Sequence, residues 1–138
     1  MVNINAKFAL FLAAGFTISI MLMSLGQPQK SKPWVIPEKF KTMKNTVATS
    51  DASVKTGEAL YRKNCLSCHG RAGLGDGIKA KTIETFPGDL TSTEFQSQTD
   101  GILFYQSKFG RNEMPKYENK IEDADLWALV NFMRTFKK

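Results

Sequence analysis

Apolar and polar positions divide the chain into three stretches. From Phe8 to Leu25 there is no charge, and Lys7 is the only charge ahead of it. An apolar run of this kind directs a chain to the secretory machinery, so residues 1–26 read as a leader. Small residues at Ser24 and Gly26 suit a cut ahead of Gln27. The run is also about 18 residues long, enough to remain as a membrane anchor through residues 8–25. Cleavage is the preferred reading and the anchor its alternative; either way the rest of the chain is exported. Residues 27–53 read as an extended arm or tether. Pro28, Pro33 and Pro37 break helix there, and Lys30, Lys32, Lys39, Lys41 and Lys44 keep the arm wet. Trp34, Val35, Ile36, Phe40 and Met43 are its apolar exceptions, expected to pack the arm onto the surface of the domain that follows, residues 54–138.

That domain carries helical periodicity and no strand alternation of any length. Gly57, Leu60, Tyr61, Asn64 and Cys65 recur at three and four residues, which predicts a first helix starting near Ser53 or Val54 and running into Cys68. Four glycines between Gly70 and Gly77 predict a loop of positive φ or close backbone approach. Phe86-Pro87-Gly88-Asp89-Leu90 is a turn, and Thr91-Ser92-Thr93-Glu94 has the form of a capping box opening a short helix. Ile102, Leu103, Tyr105 and Phe109 predict another short helix from Asp100 to Phe109. The last helix is marked by an apolar stripe of Leu126, Leu129, Val130 and Met133, with Trp127 and Phe132 beside it. Glu122, Asp123 and Asp125 at its start and Arg134, Lys137 and Lys138 at its end match the helix dipole.

Chemistry is concentrated in one place. Both cysteines and the only histidine fall within Cys65-Leu66-Ser67-Cys68-His69. This C-x-x-C-H run reads as a site for covalent attachment of c-type haem. Each thiol can form a thioether to a haem vinyl group, and His69 places an imidazole under the iron. A redox C-x-x-C belongs beside a βαβ pattern, and none is visible. A zinc site wants four ligands, and the chain has no further Cys or His. The same count rules out a second histidine on the iron from this chain. Thioether sulfur is the usual alternative, and it raises the reduction potential. Of six methionines, Met1, Met21 and Met23 lie in the leader, Met43 in the arm and Met133 on the apolar stripe. Met114 remains, in a loop 45 residues past His69, with Pro115 stiffening the backbone beside it. The competing reading is a surface-loop methionine beside an open or water-bound iron. The formal charge of +6 suits acidic protein patches or an anionic membrane surface. Scattered basic residues without a recognition helix or stacking motif argue against nucleic acid.

With these pieces in place the sequence resembles the class I cytochromes c, small monohaem electron carriers, and most of all the bacterial members. The resemblance rests on Gly57 to Tyr61, Cys65 to Gly70, Gly75-Asp76-Gly77, Phe86 to Leu90, Gly110-Arg111-Asn112-Glu113-Met114-Pro115 and Leu126 to Arg134, in the family's order over residues 54–136. It implies an all-α fold, a small helical bundle wrapped around one covalently attached haem c. It implies that the Pro87 carbonyl accepts the Nδ1–H of His69, a contact that orients an axial histidine. It implies that the first and last helices cross, with Gly57 allowing close approach and Tyr61 meeting Leu129 or Phe132.

The function so implied is single-electron transfer by Fe(II)/Fe(III) cycling between His69 and Met114, without catalysis of its own. Donor and acceptor would be redox proteins, from a quinol-oxidising complex to a terminal oxidase or reductase, in the periplasm or on the periplasmic face of the inner membrane. Two other readings stay open: a haem-bearing subunit of a dehydrogenase or respiratory complex, and a sensor or peroxidase-like protein in which Met114 does not bind iron.

Overall fold

The computed structural model describes residues 32–138; the leader and the start of the arm lie outside the described residues. Among the described residues there are six helices: α1 Glu38–Lys41, α2 Asp51–Asn64, α3 Leu66–His69, α4 Thr93–Gln96, α5 Asp100–Phe109 and α6 Asp123–Arg134, with a 3₁₀ turn at Ile78–Lys81. Among the described residues the only β-type pairing is an isolated bridge between Arg111 and Met114. The fold is all-α, as expected.

α2 begins earlier than its apolar face indicates. Ser50 caps it by accepting from Ser53 N, while Ser53 Oγ accepts from Ser50 N. Serine thus takes the place that Glu or Gln usually holds in a capping box, which hid the start at Asp51. α4 shows the converse. The box expected at Thr91 and Glu94 is not formed: the Asp89 carboxylate takes the Thr91 N–H at 2.8 Å, and Ser92 becomes the cap, accepting from Phe95 N at 3.2 Å. α5 spans the expected residues. α6 starts at Asp123 and ends at Arg134, so Lys137 and Lys138 fall beyond it.

The core is built where α2 crosses α6. Gly57 lies directly on the α6 backbone, and a Cβ there would overlap the Ala128 carbonyl and crowd Phe132. Tyr61, one turn on, meets Phe132 and Phe136 with ring centroids 5.3 Å away in each case. Leu126, Leu129 and Val130 are buried beneath this crossing, and Trp127 stacks on Phe104 of α5 at 4.1 Å. Arg134 closes the far end of α6, donating to Asp100 Oδ1 at 2.7 Å and to the carbonyls of Gln96 and Gln98.

The described part of the arm is packed onto this body. Phe40 is buried among Phe104, Tyr105 and Phe109. Ile36 and Met43 lie against the same cluster, Trp34 meets Tyr105, and Val35 is exposed. The arm backbone runs so close to α5 that a Cβ on Gly101 would overlap the Phe40 carbonyl. Further along, the buried Asn131 of α6 holds it with four groups. Its Nδ2 donates to Val47 O and Ser53 Oγ, and its Oδ1 accepts from Asn45 and Thr49.

Candidate haem-binding site

α2 carries the attachment motif but does not run through it. The helix kinks at Cys65 (φ −116°, ψ −32°), and Leu66–His69 form a separate turn. The hydrogen bonds Cys65 N to Tyr61 O and His69 N to Cys65 O bracket the kink at 2.8 and 2.9 Å. The two thiols therefore sit one turn apart, both free and half-buried. Burial, then the neighbouring Cys68, pushes the Cys65 thiol up to about 12. A thiolate is disfavoured there, whereas an uncharged thioether is not. Burial also pushes the His69 imidazole down to about 4, which keeps it neutral, the form that binds a metal.

The glycine loop folds back on the motif. Gly75 N donates to His69 O at 2.9 Å and Gly77 N to Cys68 O at 3.1 Å. Gly77 needs its missing side chain, since a Cβ would run into the Ser67 carbonyl. The Tyr61 hydroxyl, buried, donates to Gly70 O at 2.7 Å and ties the loop to α2. Leu90 N donates to Gly73 O at 2.7 Å, so the Pro87 turn is held against the loop that follows His69. The bond expected from the resemblance is nevertheless not made. His69 Nδ1 is buried without a hydrogen-bond partner.

Met114 sits at the end of a closed turn. Arg111 N donates to Met114 O at 3.0 Å and Met114 N to Arg111 O at 2.8 Å, with Asn112 at φ 48°. Met114 is half-buried. Two residues with no distinguishing signal in the sequence bind this turn to its neighbours. The Glu113 carboxylate accepts from Glu84 N and Thr85 N, both at 2.9 Å, which joins it to the segment leading to Pro87. These bonds hold the Glu113 carboxyl below the usual carboxylate range. The Tyr117 hydroxyl donates to Asn64 O at 2.9 Å, at the residue before Cys65. Burial, then the nearby Cys65 and Cys68, pushes the Tyr117 hydroxyl up to about 12. The Met114 loop is thus fastened beside the cysteines and to the Pro87 side.

These residues suit a covalent haem: two thiols a turn apart, a neutral imidazole, and a buried ring nitrogen still wanting its partner.

Residues 52–133 match the family described as cytochrome c oxidase, cbb3-type, subunit III. Cytochrome c6 of Pyropia tenera is 28% identical over 82 residues, covering 59% of this chain and 91% of that one. Cytochrome c6 of Bumilleriopsis filiformis is 27% identical, covering 59% of this chain and 90% of that one. Among solved structures, KustC0563 c-type cytochrome superposes with a TM-score of 0.51 at 27% identity, over 59% of this chain and 98% of that one. A chain of the Kuenenia stuttgartiensis reducing HAO-like protein complex Kustc0457/Kustc0458 superposes with a TM-score of 0.62 at 20% identity, over 80% of this chain and 52% of that one, a likeness of fold. With more than half of its length matched by the family profile, the chain belongs to this family of c-type cytochromes, electron carriers that hold haem c covalently.

Proposed function

We propose that the protein carries single electrons between respiratory-chain partners, with its iron held between His69 and Met114. The observation that carries this reading is the fastening of the Met114 turn through Tyr117 to Asn64 and through Glu113 to Glu84 and Thr85. A methionine at a free surface loop has no need of such bonds. The haem supplies one-electron redox chemistry at iron. Cys65 and Cys68 hold it, and His69 offers a neutral nitrogen. His69 Nδ1 has no partner in this structure, and a buried donor without an acceptor costs about 1–3 kcal/mol; we assign the Pro87 carbonyl, on the family resemblance, as the acceptor it would gain with haem bound. Met114 would help hold the iron through its thioether, which would raise the potential and leave no site for substrate. The protein is accordingly a carrier rather than a catalyst. Lys63, Lys79 and Lys81 are exposed close to the motif in sequence and suit an acidic redox partner. The charge-free run of residues 8–25 supports export to the periplasm, as a cleaved leader or as an anchor.

Met114→Ala in the holoprotein tests the assignment. Covalent haem is retained, the far-red sulfur–iron band disappears, the reduced iron binds carbon monoxide, and the potential falls. Survival of the far-red band would show that Met114 is not the ligand.

A second reading is favoured by the packed arm and by the family description: the haem domain serves within a larger oxidoreductase complex. Co-purification of a catalytic chain with the native protein supports it, and a monodisperse single chain that reduces and reoxidises freely supports the shuttle.

A further inference from the structure

We propose that Trp34, from the arm, is a positioning residue that holds the Met114 turn closed by acting through Arg111. The inference rests on the reading of Met114 as an iron ligand. The Arg111 guanidinium carbon lies 4.2 Å from the centroid of the Trp34 ring, and the ring stands edge-on to Tyr105 at 6.5 Å and 83°. Arg111 is also the residue whose N–H and carbonyl pair with those of Met114. Among the described residues Arg111 makes no salt bridge, and its guanidinium lies over the Trp34 face. Cation and ring attract when the cation sits over the face within about 6 Å.

Trp34 is presented from a fixed base. Phe40 is buried six residues on, Thr99 Oγ1 donates to Lys41 O at 2.9 Å, and the arm backbone rides on Gly101. In the structure both Arg111–Met114 backbone bonds are formed. Opening of the turn would break them and withdraw the Met114 sulfur, and a contact that Trp34 makes with the formed turn would shift the population toward it. Trp34 lies outside residues 52–133, which the family profile matches, whereas Arg111 and Met114 lie within them.

The test uses the full-length holoprotein, with imidazole as the probe for an opened ferric iron. Trp34→Ala is expected to raise the imidazole binding constant roughly two- to fivefold, the range for a partly exposed cation–π contact. Hydrogen exchange at the Met114 amide should rise by the same factor. Trp34→Phe should restore most of the wild-type value, and Arg111→Gln should reproduce the rise. The double variant Trp34→Ala with Arg111→Gln should be no worse than either single one, because both remove one contact. Val35→Ala, at the exposed neighbouring position, should change nothing. Wild-type imidazole affinity and Met114 exchange in Trp34→Ala would overturn the proposal, as would effects that add in the double variant. The ligand reading fails separately: a far-red band absent from the wild type, or unchanged in Met114→Ala, removes that reading and this proposal with it.

Discussion

Glu113 shows how one exposed side chain can order two loops. It stands next to Met114, yet its carboxylate faces away, onto the backbone N–H groups of Glu84 and Thr85. Hydrogen bonds to an ionised acceptor favour the ionised form, which is why its pKa is depressed. The sign follows. A carboxyl with a folded pKa below its unfolded value contributes stability at neutral pH, and the contribution fades as pH falls through the folded pKa. Glu113→Gln should therefore raise hydrogen exchange at the Glu84 and Thr85 amides at neutral pH. In acid the variant and the wild type should converge, because the wild-type carboxylate is then protonated too. Equal exchange in the two proteins at neutral pH would leave Glu113 a surface charge. Tyr117 is the companion case. Its place in the chain looks like loop filler, and only the fold shows its hydroxyl on Asn64 O.

Among the elements, the crossing of α2 and α6 was expected from the resemblance to the class I cytochromes c, not from the spacing of its residues, and the helices do cross where it implied. Gly57 meets Ala128, and Tyr61 meets Phe132. The arm is outside that resemblance, and its prolines and lysines say extended and wet. What fixes it is a polar residue on the apolar helix. Asn131 interrupts the α6 stripe and is 3% exposed, and it reaches Val47, Asn45, Thr49 and Ser53. Asn131→Ala would remove these bonds, of which the one to the buried Ser53 hydroxyl is the most enclosed, at a cost of about 1–3 kcal/mol. We expect a matching drop in the denaturant midpoint and faster tryptic cleavage after Lys41 or Lys44. An arm still resistant to trypsin in that variant would mean that Phe40 alone holds it.

For the whole molecule, the site and the core are one construction. The attachment turn, the glycine loop and the Met114 turn are loop-borne, and their bonds lead back to α2 through Tyr61 and Tyr117. A chain of this size has a modest core, so a buried haem adds apolar contact that the protein alone lacks. Cys65→Ala with Cys68→Ala should give an exported polypeptide at the mass of the bare chain, readily digested and without a sharp unfolding transition. Wild-type protease resistance in that double variant would contradict a core organised around the haem.

The order of residues along the chain determined the helical class, the attachment motif and the short list of axial ligands, because these depend on periodicity and on counts of Cys, His and Met. Helix ends were less legible: Ser53 served in a capping box where Glu is usual, and Asp89 diverted Thr91 from one. Tertiary structure alone decided which groups complete the site. Glu113, Tyr117 and Trp34 contact partners 28 to 77 residues away in the chain. No spacing rule reaches that far, since such contacts arise only when the helices have packed and brought the loops together.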